Sequence, residues 1–588
     1  MAASAALIWV WGRGLTLFDD EWGYALRIAT EPASTYLINP PAGKHLIAVP
    51  LLFYKAAFEL WGISSDAPYQ VAHIVLLLLC AGLFFVLARR RVGDLLAVMA
   101  TSILLFLGPA REVVATPLRI PSLISAAAGL GMLLLLERRD LRGDIGACLL
   151  LGVSLASLST GYPFAAAAAV LVLARSSPER WRRAWVFAIP VALYLAWWLL
   201  EFDIGPDAQP LGRTLIDLPV YLGKSLAVSV LSVTGLVLTN STGELFLPVA
   251  FYVVLGAALL ALLAWAVVAR SRRPAPLSPF IVSMAAALLV FWTATAFAPG
   301  PERVPWASRY LYLDAVLLLL LVCELARGLD VPRRLTRTGW AVISIAFVIS
   351  IAGNVRELRH EMGQLVEDSD YIRAGLTSLQ IAGDNVAPTF RLDTALSPVS
   401  PRRTSLLGAH LDDNGLPLGH LTAYGYRSVF DKYGSPAYSP AELPSKSPEL
   451  RRAADTVLVR ALLLRLHPIE TSVRGTAPAP KPLVPDRSAW RTERSGCVKL
   501  PPSSTTSSAM VQIATAGAAI EAGSGPVTVT VGRFADGTPV QLGTVPANAS
   551  SALLVPADAP GQASPVRWRI GLGDANGATV CSLGGARP

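Results

Sequence analysis

The chain has 588 residues, 53% of them hydrophobic against 15% charged, with a mean hydropathy of +0.50. A soluble domain carries about a quarter of its residues as Asp, Glu, Lys and Arg, so the composition excludes an ordinary soluble enzyme. The formal charge of +9 invites a nucleic-acid reading, which requires positive charge gathered on one folded surface. Here apolar runs such as Ile74–Leu87 and Val249–Val268 alternate instead with short arginine clusters, the pattern of a polytopic membrane protein.

A bilayer core of roughly 30 Å takes about 20 apolar helical residues to cross. Spans are predicted near 2–18, 70–88, 95–109, 120–136, 145–160, 162–174, 184–200, 246–269, 277–298, 309–326 and 338–354, about eleven transmembrane helices in all. Arginine-rich connections follow every second span: Arg89–Asp94, Glu137–Asp144, Arg175–Arg183, Arg270–Pro274 and Arg327–Arg337. Their net charges of +2, 0, +3, +3 and +3 together exceed the whole chain's +9. The positive-inside bias then puts all five in the cytoplasm. This implies a multi-pass plasma-membrane protein with a cytoplasmic N-terminus and residues 355–588 outside. The positive charge is a topology signal, and no nucleic-acid partner is expected.

The first outer loop, residues 17–66, is the most informative segment. Asp19, Asp20 and Glu21 follow directly on the first span. Three adjacent carboxylates repel one another and call for a cation, a proton or a positive ligand. Capping and solvating a helix N-terminus is the alternative role for them. A helix from Glu21 would place Trp22, Ala25, Leu26 and Ala29 on one interfacial face. After Asn39-Pro40-Pro41-Ala42-Gly43-Lys44-His45 comes a second apolar stretch, Leu46–Leu60, so the loop reads as two interfacial helices joined by a turn. The loop Gly108–Pro121 carries Arg111, Glu112 and Arg119, and the loop before the tenth span carries Glu302, Arg303, Arg309 and Tyr310. Arginines on the outer side run against the topological bias. Arg119 and Arg309 stand at the mouths of spans, at phosphate headgroup height, where a guanidinium binds phosphate bidentately or snorkels to lipid.

Residues 355–486 read as a mixed helical and loop region ending in a proline-rich linker, Thr476–Asp486. Residues 487–588 hold short alternating runs separated by Gly, Asp, Asn and Pro, the pattern of an all-β sandwich or jelly roll. Such a module either binds carbohydrate or caps the membrane region. Cys497 and Cys581 bracket it, an even pair suited to a disulfide in an oxidising compartment.

The acidic residues with a following aromatic, in a long first outer loop with two interfacial helices, resemble the GT-C superfamily of integral-membrane glycosyltransferases. Arg309-Tyr310 at the start of an outward-facing span is similar to that family's lipid-phosphate region. The resemblance covers residues 1–354, the expected transmembrane domain. Some members, the arabinofuranosyltransferases of actinobacterial walls, carry Asp-Asp in this loop, and the protein mannosyltransferases carry Asp-Glu. The Asp19-Asp20-Glu21 run fits either pattern through Asp20. Many members also have an acidic residue near the start of the fourth span, where this chain has Arg119-Ile120-Pro121; Glu112 is the nearby substitute.

The resemblance implies transfer of a sugar from a polyprenyl-phosphate donor to a glycan, protein or lipid acceptor on the outer face, with inversion. Asp20, with Asp19 and Glu21, would supply the carboxylate base. Arg309, Tyr310, Arg119, Lys44 and His45 would bind the donor phosphate, and Trp22, Tyr24, Asn39 and Glu112 would contact substrate. Membrane lipids are further partners. The sequence requires no cofactor, and its acidic loop could take a divalent cation. The rival reading is a transporter or flippase of a cell-envelope lipid or glycan precursor. Transporters concentrate ionisable residues at the midplane, whereas the acidic cluster here lies at the outer surface.

Overall fold

The computed structural model describes residues 1–18, 20–39, 45–174, 177–201, 211–235, 278–297, 304–329, 336–388, 390–393, 420–470, 478–483, 491–493, 496–500, 508–513, 516–535, 540–574 and 577–583, with isolated positions between 248 and 261. They form two compact units that divide between Val366 and Glu367.

The first unit is helical. Its elements are α1 (Ala2–Trp11), α2 (Asp20–Thr30), α3 (Ala33–Ile38), α4 (Ala48–Trp61), α5 (Ala67–Val92), α6 (Asp94–Leu105), α7 (Arg111–Ala115), α8 (Ile120–Leu136), α9 (Leu141–Leu155), α10 (Tyr162–Leu173), α11 (Ser177–Arg183), α12 (Trp185–Glu201), α13 (Leu211–Thr234), α14 (Pro279–Ala296), α15 (Ser308–Leu329) and α16 (Arg337–Ala382), in which the unit boundary falls. Local chemistry marks the ends. Pro68 sits in the first turn of α5, Arg89–Arg91 in its last, and Gly93 at φ +80° ends it. Asp140 caps α9 by accepting from the Gly143 N–H, and Ser278 caps α14 ahead of Pro279.

Among the described residues five helices are long and apolar enough to cross a membrane, or six if the bent pair Asp94–Leu105 and Gly108–Ala115, broken by 48°, counts as one span. Two differences from the sequence reading have physical causes. The span expected at 2–18 is helical only over Ala2–Trp11, because Gly12 closes the helix and Gly14 takes φ +99°; Leu15, Leu17 and Phe18 then enter the core as extended chain. The stretch 95–109 is helical only to Leu105 and bends there, because Gly108 and Pro109 form a turn at its end. A Cβ at Gly108 would lie 2.6 Å from the Asn354 carbonyl oxygen, so this turn packs directly on the α16 backbone. The 24-residue α13 overlaps Ser229–Thr239, a stretch the sequence leaves ambiguous as a span; Thr214–Thr234 is apolar enough to cross although it contains Asp217, Pro219 and Lys224. The expected span 246–269 lies almost wholly outside the described residues.

Buried ion pairs tie the helix ends that carry the arginine clusters. Arg91 bonds Glu137 at 2.9 Å and Glu324 at 2.8 Å, with its guanidinium 3.7 Å above the Phe280 ring. Arg183 Nε bonds both oxygens of Asp144, at 3.0 and 2.9 Å. Charges this deep are tolerated because each has an opposite partner.

The second unit adds β1 (Arg391–Asp393), β2 (His420–Thr422), α17 (Ala423–Tyr433), α18 (Pro448–Ala461), β3 (Leu466–Ile469), β4 (Lys481–Pro482), β5 (Arg491–Glu493), β6 (Cys497–Lys499), β7 (Ser508–Gln512), β8 (Gly517–Glu521), β9 (Val527–Gly532), β10 (Val540–Val545), β11 (Ser550–Leu554), β12 (Arg569–Gly573) and β13 (Thr579–Ser582). Apart from the β1–β2 pair, the strands form a five-stranded sheet ordered β10-β9-β12-β7-β4 and a six-stranded sheet ordered β3-β11-β8-β13-β6-β5. All pairings are antiparallel. The sheets therefore recruit β3 and β4 from upstream of residue 487. Cys497 and Cys581 stand opposite each other on β6 and β13 and are disulfide-bonded. Asp455 on α18 accepts the backbone N–H groups of Arg533, Phe534 and Ala535 just after β9, which fixes that helix to the sheet.

Candidate active site

The acidic run begins α2, and its members have different surroundings. Asp20 is half-exposed at the head of the helix, Glu21 is fully buried, and Asp19 lies outside the described residues. The turn before α2 explains the burial. Glu21 Oε2 accepts the Phe18 N–H at 3.0 Å, and the Trp22 indole N–H donates to the Leu17 carbonyl at 2.9 Å, folding the chain back on the helix start. The buried face of α2 comprises Glu21, Trp22, Tyr24, Ala25 and Ile28. This differs from the expected Trp22, Ala25, Leu26 and Ala29 face. Trp22 and Tyr24 thus pack the helix against the bundle rather than opening onto the surface.

On α4, Tyr54 supplies the link that sequence reasoning missed. Its hydroxyl lies 3.0 Å from Glu21 Oε1 and 3.1 Å from the Pro117 carbonyl oxygen. The ring is fully buried among Tyr24, Phe58 and Tyr69, with centroids 5.2, 5.5 and 6.5 Å away. Burial above all, then the neighbouring Asp66, pushes the Glu21 carboxyl up to about 8; Asp20 adds to this, and the bonds from Phe18 and Tyr54 oppose it. The Tyr54 hydroxyl carries one proton, so it donates to either Glu21 Oε1 or the Pro117 carbonyl, both within hydrogen-bond distance. The only sequence signal was a tyrosine in an apolar stretch, which does not reveal what its hydroxyl will meet.

Two residues beyond Pro117, Arg119 bonds Glu112 through Nε at 3.0 Å. The Glu112 backbone N–H donates to Ser308 Oγ at 3.0 Å, which sets α7 on the N-terminus of α15, where Arg309 and Tyr310 follow. Burial raises the Glu112 carboxyl, but the guanidiniums of Arg119, Arg309 and Arg111 outweigh it and hold the group below the usual carboxylate range. Arg111 also pairs with Glu361 of α16 at 2.9 Å. The Arg309 guanidinium lies 5.4 Å from the Tyr310 ring centroid, and Phe291 meets that ring edge-on. Arg119 and Arg309 thus lie near the single carboxylate of Glu112, while Arg111 is also committed to Glu361.

Tyr54 joins two segments far apart in sequence, touching the acidic loop on one side and the Arg119 turn on the other. His45 is half-buried before α4, and Lys44 lies outside the described residues. Asn39 is exposed, and its carbonyl accepts from Arg27 at 2.8 Å. Trp197 of α12 donates to the Ile38 carbonyl at 2.8 Å and meets the Tyr194 ring, which in turn meets Tyr162. Among the described residues, no group of three or more His, Cys, Asp or Glu side chains is placed to hold a metal ion.

No protein-family model matches the chain. No curated protein matches it either. Solved structures to which it is similar include two of ArnT from Cupriavidus metallidurans. The apo-state crystal structure aligns with a TM-score of 0.42 at 14% identity, over 80% of this chain and 95% of ArnT. The crystal structure of ArnT bound to undecaprenyl phosphate aligns with a TM-score of 0.41 at 14% identity, over 68% of this chain and 83% of ArnT.

Proposed function

We infer that the chain is a membrane glycosyltransferase that moves a sugar from a polyprenyl-phosphate donor to a glycan, protein or lipid acceptor at the outer face of the membrane. The observation that supports this reading is the junction at Tyr54, whose hydroxyl reaches Glu21, the neighbour of half-exposed Asp20, on one side and Pro117, two residues before Arg119, on the other. Asp20 takes the proton of the acceptor hydroxyl as its oxygen attacks the anomeric carbon, and the sugar inverts. Positioned base help of this kind contributes about 10²–10⁴-fold. The leaving group is the lipid phosphate. Arg309 and Arg119 neutralise the charge that develops on it, as fixed cations do at a developing oxyanion. Glu112 holds these guanidiniums apart and oriented until the phosphate arrives. Glu21, buried and neutral, keeps α2 in place.

The test is turnover of purified protein in lipid with a panel of radiolabelled polyprenyl-phosphate sugars and glycan acceptors, with the product's anomeric configuration read by NMR. Inverted product supports the reading. Movement of an intact lipid-linked sugar across a sealed vesicle, with no transfer from any donor, replaces it with the transporter reading.

A further inference from the structure

α16 has two distinct sides where it leaves the expected span at 354. On one, Asn354, Leu358 and Met362 are buried, and Glu361 is committed to Arg111. On the other, Ala352, Val355, Arg356, Arg359, His360 and Gly363 line an open hollow on the helix surface. Among the described residues its lining has Arg356, Arg359 and His360, whose Nε2 lies 3.2 Å from Gln364 Nε2, and no carboxylate. Among the described residues neither Arg356 nor Arg359 forms an ion pair, and both are exposed, as is His360.

The same helical stripe continues toward the membrane. Val342, Ile345 and Ile349, at three- and four-residue spacing, lead through Ala352 to Arg356 and Arg359 along one face. All three apolar side chains are exposed, as is Val348 beside them. One face therefore changes within two turns from hydrocarbon-matching to phosphate-matching. We propose that this stripe binds an acidic membrane lipid, with its phosphate seated on Arg356, Arg359 and His360 and its hydrocarbon lying along Val342, Ile345 and Ile349. A soluble phosphate would have no use for the apolar half, and a neutral lipid none for the unneutralised guanidiniums. The site lies on the side of α16 away from Glu361 and Arg111, and does not depend on the glycosyltransferase reading.

The experiment uses the full chain reconstituted in phosphatidylcholine with or without phosphatidylglycerol, then extracted and weighed by native mass spectrometry. The wild type is expected to retain phosphatidylglycerol selectively. Arg356→Gln with Arg359→Gln should weaken retention roughly 30-fold, since each arginine at an acidic lipid surface contributes about fivefold. Ile345→Ala with Ile349→Ala should also weaken retention of the lipid, because its hydrocarbon loses contact area. The substituted side chains are exposed on the helix surface, so both variants should keep a melting temperature close to the wild type's, which is measured alongside. Equal retention by wild type and the arginine variant overturns the proposal. So does displacement of the lipid by inorganic phosphate at equal concentration, which would mark a soluble-anion site.

Discussion

The Tyr54 hydroxyl stands between Glu21, at 3.0 Å, and the Pro117 carbonyl, at 3.1 Å, joining two loops 33 and 63 residues away in sequence. A buried polar link of this sort is worth little net when complete and much more when broken, because the orphaned partners lose water without replacement. Tyr54→Phe should therefore lower stability by about 1–3 kcal/mol. Thermal melting of the reconstituted protein measures it, and an unchanged midpoint would mean the link is not made.

Glu21 gives a sharper contrast. A glutamine can donate to Tyr54 through its amide and accept from the Phe18 N–H through its carbonyl oxygen. Glu21→Gln should thus melt close to the wild type, whereas Glu21→Ala should lose about 2 kcal/mol or more from two orphaned donors and acceptors. Equal loss in both variants would indicate that Glu21 is charged in the folded protein.

The pH dependence follows from the same group. Its folded value is raised to about 8 from the ordinary 4.5, so the folded state keeps a proton that the unfolded chain has released. Its contribution is fully present below pH 4.5 and lost as pH rises through 8. The stability of wild type relative to Glu21→Gln should fall over that window and be flat below it, as read by melting at a series of pH values. A difference that grows with pH in the wild type's favour would contradict this.

The arginine cluster makes a kinetic prediction. Arg309 is half-buried beside Glu112, and Arg119 pairs with that carboxylate. In the proposed mechanism either guanidinium donates to the leaving phosphate, so Arg309→Gln and Arg119→Gln should each cut kcat/KM for the lipid donor by roughly 10²-fold. Donor titration in steady-state assays distinguishes this from a folding defect, provided acceptor KM stays constant.

The Cys497–Cys581 bond closes 84 residues of chain. Cross-links of this span typically contribute about 2–5 kcal/mol. Reduction with dithiothreitol, or Cys497→Ser with Cys581→Ser, should lower the melting of the β-rich unit while leaving the helical unit's transition in place. Calorimetry of the intact chain resolves the two.

Much of the framework was legible because it is periodic or punctuated. Pro68 and the Arg89–Arg91 run delimit α5, Ser278-Pro279 starts α14, and regularly spaced turn residues mark β7 to β12. What was not legible depends on tertiary partners. Composition shows three acidic residues in a row, but only packing against Tyr54 makes Glu21 a buried acid and leaves Asp20 half-exposed. Trp22 and Tyr24 read as a stacking surface, and the folded helix turns them inward because Leu17 and Tyr54 await them there. α13 was ambiguous in sequence; a helix packed in a bundle tolerates its Pro219 and charges.

The most direct measurement is sugar transfer by Asp20→Asn in purified, folded protein supplied with a polyprenyl-phosphate sugar and a glycan acceptor. The proposed chemistry predicts a fall of about 10²–10⁴-fold with unchanged melting. Transfer at the wild-type rate would remove Asp20 as the base and with it the proposed mechanism.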